Sequence, residues 1–551
     1  MIAHYCTAIL FAAAPLVGPN DALRAAVDDL ETRVAVEVRS HVRYVTFYHL
    51  PPAERRRAGA VLSLVLNSVS RADAIVRPEP VPATDDRLWR FSLADYRLPA
   101  DVWELLASHD PYFHLRTRVQ AGASFVVRGA ELQKPGTKHQ EPSTPLPTRS
   151  TEQEAFTDGG WLDLAAAARL RALAGSGGAL LRGDYFITQA TTTLEGGVYY
   201  ELAGIADTEE AFFTSIGLDI DTVDRLRADA GANTFRSLVT FKPRRIVRRQ
   251  GPLGGAWHTY DTAAATPERD PIRNPFDFVY DAGEHIAAKR NGLHLYALFD
   301  RAGRRQASVP DNIAKDTSDP HGSGIVAPLI SCVRCHLEDG LRPVVNDQRR
   351  LLDAGIEVIA ERPRDAERLA AFYFADLEKQ LRRDREDFAE AVASATGGLS
   401  GAAASAALAE LVSRYRNDLV DAPRAAAELG IAVETLRAAF RASHDPILQA
   451  LAADIAVDRK QWEASFAEAA LLITALPSPP AGEAVFILPS PLAGEGAGVR
   501  GKHMETSARR MPGAGAEGEA PATGASLRSA PATRNAVFDS VHIPFIPGVS
   551  P

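Results

Sequence analysis

The chain has 551 residues, of which 46% are hydrophobic and 24% charged, a globular composition with enough apolar surface for several cores. At roughly 100–200 residues per domain, this length predicts about three or four folding units. Asp and Glu number 70 against 61 Lys and Arg, a formal charge of -9 that argues against a nucleic-acid partner. Three cysteines are too few for a disulfide framework, and no transmembrane span is expected because no apolar run reaches about 18 residues.

Residues 1–25 are interpreted as a signal or leader segment. Residues 5–17 are apolar over the length of a signal-peptide core. No Lys or Arg precedes this core, and Pro15 follows its run of small residues, which makes a poor cleavage context. The alternative is that the segment forms the first turns of a buried helix.

Residues 30–115 are predicted to form a small α/β domain. Valines alternate with polar residues from Val34 to Val38, and residues 41–47 continue this strand-like pattern. The remaining predicted elements are a helix that begins at Pro51-Pro52 and two strands at 75–78 and 88–93. Residues 134–152 follow as a linker, because prolines, Gly, Ser and Thr there leave little to bury.

The central part of the chain is predicted to be mixed. Residues 160–255 form an α+β domain, and residues 256–348 form the region that bears the motif described below. The predicted elements are helices near 162–173, 209–213 and 222–228, an extended segment at 237–249, and strands at 276–280 and 293–299.

A helical region and a low-complexity tail are predicted to complete the chain. Over residues 349–475, apolar residues recur at helical spacing between dense charges, with aromatic stripes that are typical of a core. Residues 476–551 are predicted to be disordered, since Gly, Pro, Ala and Glu dominate much of them. Their repeat, SPPAGE at 478–483 and SPLAGE at 490–495, is too short to bury a face. The predicted fold class is therefore α+β with several domains.

The strongest motif is C-x-x-C-H, formed by Cys332, Cys335 and His336. Two cysteines three residues apart lie on one side of a helical turn, where both can form thioethers to the vinyl groups of a haem. The adjacent His336 then supplies the proximal ligand of the iron. The motif predicts one covalently attached haem c, since no second cysteine pair exists. The alternatives are a zinc site, a redox dithiol, or two buried thiols beside an unrelated histidine.

The sixth ligand of such an iron is only partly constrained. The three methionines are Met1, Met504 and Met511, and the last two lie in the predicted tail, so a Met/His iron is not expected. The histidines nearest in sequence to the motif are His258, His285, His294 and His321. We single out His321 as the candidate distal ligand, because it lies in a Gly-rich loop that can fold back.

A basic run at 242–249 has the sequence KPRRIVRR. We interpret it as one solvated face of an exposed strand. The alternative is that it binds the haem propionates or an acidic partner protein.

Over most of residues 40–470, the chain resembles large exported bacterial proteins that carry a single C-x-x-C-H within a c-type cytochrome-like domain. The resemblance rests on VRY at 42–44, NSVS at 67–70, IVRP at 75–78, WRFSL at 89–93, GGAWHTYD at 254–261, NGLHLY at 291–296 and ISCVRCH at 330–336. It implies haem attachment at Cys332 and Cys335, with His336 on the iron, and it implies no substrate. The chain departs from the family pattern at His258 and His294, where other polar residues are usual, and in its weak leader.

The predicted function is covalent haem binding and electron transfer by a periplasmic or otherwise exported protein, with a redox partner protein of unknown identity. An electron carrier is favoured over an enzyme. The alternatives are a haem-based enzyme or gas sensor with an open distal site, and a scaffold without haem in which the motif binds zinc or serves as a dithiol.

Overall fold

The computed structural model describes residues 18–113, 163–218, 230–354, 367 and 370–474, with short gaps at 195, 238, 241, 265, 275–277, 318–323 and 338–339. The predicted linker at 134–152 and tail at 476–551 lie outside these residues, as do residues 1–17 of the predicted leader. Within the described part, two sheets and many helices form a mixed α+β structure, which confirms the α+β part of the predicted fold class. The predicted domain boundaries stay predictions.

The elements before residue 220 build the first sheet and its helices. The helices are α1 (Pro19–Thr32), α2 (Pro52–Val69), α3 (Ala100–Ser108), α4 (Leu164–Ala174), α5 (Gly183–Ala190), α6 (Tyr199–Ala203) and α7 (Glu209–Ser215). The strands are β1 (Val42–Thr46), β2 (Glu79–Pro80), β3 (Leu88–Ser92) and β4 (Leu180–Arg182). They form a sheet of order β2-β3-β1-β4, in which β1 is antiparallel to β3 and parallel to β4.

The elements after residue 230 build the second sheet and a set of helices. The strands are β5 (Ala230–Thr234), β6 (Arg244–Gly251), β7 (Gly254–Asp261), β8 (Ala282–Ala288) and β9 (His294–Asp300). The helices are α8 (Ile330–His336), α9 (Asp347–Asp353), α10 (Leu377–Thr396), α11 (Gly401–Arg416), α12 (Ala422–Leu429), α13 (Val433–Phe440), α14 (Pro446–Ala452) and α15 (Arg459–Thr474). The predicted helical character of this last region is confirmed.

The second sheet is antiparallel throughout, in the order β5-β6-β7-β8-β9, and its register separates two faces. Residues directly opposite each other on neighbouring strands share a face, and residues two apart on one strand also share it. Glu284 lies opposite Leu298, which places Glu284 on the face of His294 and Tyr296. We call this the motif face, because α8 is shown below to lie against it.

Helix α10 covers part of the motif face. The carboxylate of Asp384 accepts two hydrogen bonds of 3.0 Å from Arg248 on β6 and one of 2.8 Å from the indole of Trp257 on β7. One turn further along, the ring of Phe388 stacks on His294 with centroids 4.0 Å apart. This helix therefore spans the sheet from β6 to β9.

Several sequence-based predictions of elements are confirmed and others are wrong. Helix α2 begins at the predicted proline pair, because proline fits the first turn of a helix. Valines 36 and 38 lie in a short 3-10 helix and are exposed, so the predicted strand starts only at Val42. Residues 75–78 are irregular, and β2 follows them.

The basic run forms a strand, but the prediction of a solvated face is wrong. Arg244, Arg245, Arg248 and Arg249 are at most 8% exposed. Three of them have buried polar partners that are distant in sequence, such as Asp261 for Arg244 and Asp384 for Arg248. These hydrogen bonds and ion pairs offset the free-energy cost of taking the arginine side chains out of water.

No single helix of the described residues is long and apolar enough to cross a membrane, although α10 and α11, bent by 57°, meet the criteria of length and composition as a pair.

Candidate functional site

The predicted haem-attachment motif lies on the short helix α8, which starts from a strained turn. Leu329, the residue before it, is 1% exposed and has φ 65° and ψ −66°. The amide of Ile330 donates to the carbonyl of Pro328 at 3.1 Å, which closes a γ-turn, and also to the carbonyl of Thr191 at 3.0 Å. Non-glycine residues in such a conformation persist only where the surroundings fix them, and they cluster at functional sites.

Side chains on both sides of α8 hold it in place. The hydroxyl of Ser331 accepts from the amide of Ala327 at 3.0 Å, and Arg334 forms an ion pair of 2.7 Å with Asp316. From α11, the hydroxyl of Ser405 donates to the carbonyl of Val333 at 3.2 Å. The motif is thus positioned by groups that are distant in the sequence.

The two cysteines of the motif are half-buried, and neither is in a disulfide. Cys332 packs against the main hydrophobic core. Burial, assisted by the negative charge of Glu284, raises the pKa of the Cys332 thiol above its ordinary value. The thiol is therefore protonated at neutral pH, and it lies near the motif face of the second sheet.

His336 is held by its backbone-facing nitrogen. Its Nδ1 lies 3.1 Å from the carbonyl oxygen of Gly340, so we assign the ring proton to Nδ1. Gly340 has φ 69°, a conformation that glycine adopts without strain, and this turn directs its carbonyl towards the ring. Nε2 then carries the lone pair, which is the arrangement that histidine ligands of metals commonly have.

Burial keeps the His336 imidazole neutral. It lowers the pKa of His336 to about 4, helped by the positive charges of Arg342 and Arg244 and opposed by the Gly340 hydrogen bond. A neutral imidazole is the form that binds a metal ion.

Two aromatic residues of β9 lie beneath α8. The rings of Tyr296 and His336 are nearly parallel at 28°, with centroids 6.5 Å apart. His294, two residues before Tyr296, is 4% exposed, and burial together with His336 lowers its pKa to about 3. Among the described residues, neither Nδ1 of His294 nor the hydroxyl of Tyr296 has a hydrogen-bond partner. Buried polar atoms without a partner are uncommon and call for a reason.

The edge strand β9 is itself fixed by two tyrosines of α6. The hydroxyl of Tyr199 accepts from the amide of Tyr296 at 2.9 Å, and the hydroxyl of Tyr200 accepts from the amide of Leu298 at 3.1 Å. These hydroxyls satisfy backbone amides of β9 that a neighbouring strand would otherwise pair with. As a result, His294 and Tyr296 have a defined position beneath the motif.

The structure places some of the predicted site residues together and separates others. Cys332, Cys335 and His336 share α8, while the distal candidate His321 lies outside the described residues. His258 and His285 lie on the opposite face of the sheet, where their Nδ1 atoms are 2.7 Å apart. Sequence reasoning missed Tyr296, although its spacing of two from His294 in a predicted strand signals a shared face.

The donor set fits haem attachment, with two neighbouring thiols followed by a neutral imidazole whose Nδ1 is anchored and whose Nε2 carries the lone pair. In the part of the chain that the structure describes, no three His, Cys, Asp or Glu side chains are grouped to hold a metal ion. Two surface clefts of about 430 and 300 Å³ have no lining residue from α8, so they add no donors to the motif.

Comparisons of the chain with protein-family models, with curated proteins and with solved structures find no match.

Proposed function

We propose that this chain binds one haem covalently through Cys332 and Cys335, with His336 as the proximal ligand, and that it transfers electrons. The observation that carries the proposal is the state of His336, which follows the two thiols directly. Its imidazole is neutral, and the Gly340 carbonyl fixes its Nδ1 hydrogen. Nε2 is thereby kept as a ligand for iron.

Each residue has a separate part in this proposal. The two half-buried thiols tether the group at neighbouring positions of one helix face. The Gly340 carbonyl orients the His336 ring and increases its basicity as a ligand. When bound, a single haem supplies one-electron redox chemistry. Nearby, Arg244 forms ion pairs with Asp261 and Glu284, so its charge is balanced by protein groups.

The proposed setting is the periplasm or another exported compartment, where c-type haem is attached to protein. The proposed partner is a redox protein that exchanges an electron with the site. The formal charge of -9 gives no basis for a nucleic-acid partner.

Maturation of the full chain in a bacterial host that attaches c-type haem tests the proposal. We expect a coloured protein whose alkaline pyridine spectrum is that of a haem bound by two thioethers, and haem that stays with the chain under denaturing conditions. The double variant Cys332→Ser/Cys335→Ser is expected to lose the haem, whereas Cys6→Ser, which changes the third cysteine, is expected to keep it. Colourless wild-type protein, or equal haem retention by the double variant, would contradict the proposal.

A further inference from the structure

Among the histidines near the motif in sequence, the described part of the structure brings one to the motif itself. The His336 ring lies along Tyr296, so α8 lies against the motif face. His294 shares that face, because it is two residues from Tyr296 on β9.

The other two described histidines of this region are on the far side of the sheet. His285 pairs with Ala297 and with His258, which places both histidines opposite the motif face. Their rings contact Phe213, at 5.3 Å from His285 and 4.8 Å from His258. The backbone of the sheet thus lies between these imidazoles and α8, and they cannot reach the iron site without unpairing strands.

His294 has the properties of a ligand that is already in position. Its ring stacks on Phe388 at an interplanar angle of 12°, which restricts rotation. Its strand is held by the tyrosine hydroxyls of α6, so the backbone is also fixed. Its Nδ1 is buried and lacks a hydrogen-bond partner among the described residues, although a buried polar atom without a partner is destabilising. Coordination of a metal would satisfy that nitrogen.

The two imidazoles lie near the same aromatic ring. Both approach the ring of Tyr296, His294 at 6.1 Å and His336 at 6.5 Å between centroids.

We propose that His294 is the second protein ligand of the haem iron, opposite His336. This inference rests on the proposed haem attachment and goes beyond it, because it closes the iron to external ligands. A closed iron is suited to electron transfer, whereas an open one is suited to gas binding or catalysis. The proposal replaces His321 with His294 as the distal ligand.

The test uses full-length protein matured with haem. We expect the wild type to be low-spin, with the electron paramagnetic resonance signature of two imidazole ligands, and to refuse carbon monoxide when reduced. His294→Gly is expected to become high-spin and to bind carbon monoxide completely, and added imidazole is expected to restore the low-spin spectrum. Rescue by imidazole distinguishes a lost ligand from a damaged fold.

A second variant covers the case in which His294→Gly does not fold. His294→Met offers the iron a thioether, so the protein is expected to stay low-spin with a raised reduction potential, which a purely structural histidine would not cause. His321→Gly and the exposed surface change His444→Gly serve as controls and are expected to match the wild type.

The outcomes separate this inference from the proposed function. Wild-type protein without covalent haem would overturn the proposed function itself. Covalent haem with an open iron, a His294→Gly variant that stays low-spin and closed to carbon monoxide, or loss of the low-spin state in His321→Gly would overturn only the role of His294.

Discussion

Two buried polar regions of this molecule differ in how their groups are partnered. Near the first sheet, the carboxylate of Glu428 binds Arg182 at 2.6 Å, Arg459 at 2.8 Å and the indole of Trp462 at 2.8 Å. Beneath α8, by contrast, the described residues provide no partner for Nδ1 of His294. Both regions are shielded from water, so shielding does not explain the difference.

The paired groups around Glu428 stabilise the fold, whereas the unpaired Nδ1 of His294 beneath α8 is available for a ligand. Burial acts to raise the pKa of Glu428, but Arg182 and Arg459 lower it well below its ordinary value. The carboxylate thus stays ionised and joins β4 to the C-terminal helices. Nδ1 of His294 and the hydroxyl of Tyr296, beneath α8, do not connect elements in this way. We therefore attribute them to haem binding.

Loss of the Glu428 carboxylate should have the largest effect on stability. Glu428→Gln removes the anion that pairs with the buried Arg459 and one of the two that pair with Arg182, which keeps Asp184. Loss of one partner of a buried ion pair typically costs about 3–5 kcal/mol of unfolding free energy. Denaturant unfolding measures this loss, with Glu434→Gln as a control, because the Glu434 side chain is 82% exposed and its loss should cost about 0–1 kcal/mol. Haem attachment should be unchanged in both variants. A loss below about 1 kcal/mol for Glu428→Gln would contradict the assigned role.

A buried lysine should make stability depend on pH. Lys289 donates to the carbonyls of Asn67 and Ser68 at the end of α2, and burial lowers its pKa to about 7 from 10.5. Between these values the unfolded chain binds more protons than the folded one, so the free energy of unfolding rises with pH, by at most about 1.4 kcal/mol per pH unit.

Denaturant unfolding from pH 7 to about pH 10 measures this contribution by difference. Lys289→Met should remove it, so the stability gap between wild type and variant should change with pH in the stated direction. A gap that is constant over this range would show that the folded pKa of Lys289 is not lowered.

Substitution of Gly340 should alter the haem more than the fold. Gly340→Ala places a Cβ at φ 69°, which costs about 1–2 kcal/mol and shifts the carbonyl that fixes His336. The matched control is Gly196→Ala, at φ 82° with no atom within 4 Å of the new Cβ. Both should lose similar stability, but only Gly340→Ala should change the reduction potential. Equal potentials in the two variants would argue against the Gly340 carbonyl as the group that orients the imidazole.

The smallest expected effect is that of the bond between α11 and α8. Ser405→Ala removes the hydrogen bond to the carbonyl of Val333 and should cost about 0.5–1.5 kcal/mol, without loss of haem. Thermal unfolding compares it with Ser108→Ala, an exposed serine that bonds within its own helix end and should cost less. The reverse order of the two losses would show that α8 does not depend on α11.

Local patterns in the sequence predicted part of the fold. Strand β3 and strand β9 follow from alternation and β-branched or aromatic residues, and α2 follows from its proline start. Alternation also predicted a strand at Val36, where the structure has an exposed 3-10 helix. Alternation alone was misleading there, because these valines are not buried against a core. The burial of the basic strand β6 could not be predicted, since Asp384, the acidic partner of its Arg248, is 136 residues away in the sequence.

In the site, too, local sequence predicted some features, whereas others depend on tertiary structure. The spacing of Cys332, Cys335 and His336 places them on one helix turn, and the structure confirms that they share α8. The carbonyl of Gly340 has no signature in the sequence, because its contact with His336 depends on a turn. The spacing of Tyr296 from His294 indicates a shared face, but it does not predict that the Tyr296 ring lies along His336. Tertiary structure alone distinguishes His294 from His258 and His285.

The intact mass of the full chain, matured in a haem-attaching host and treated with a thiol-alkylating reagent under denaturing conditions, tests the central claim most directly. We expect a mass increase of one haem, with Cys332 and Cys335 both protected from alkylation. A chain without this increase, in which both thiols react, would contradict it.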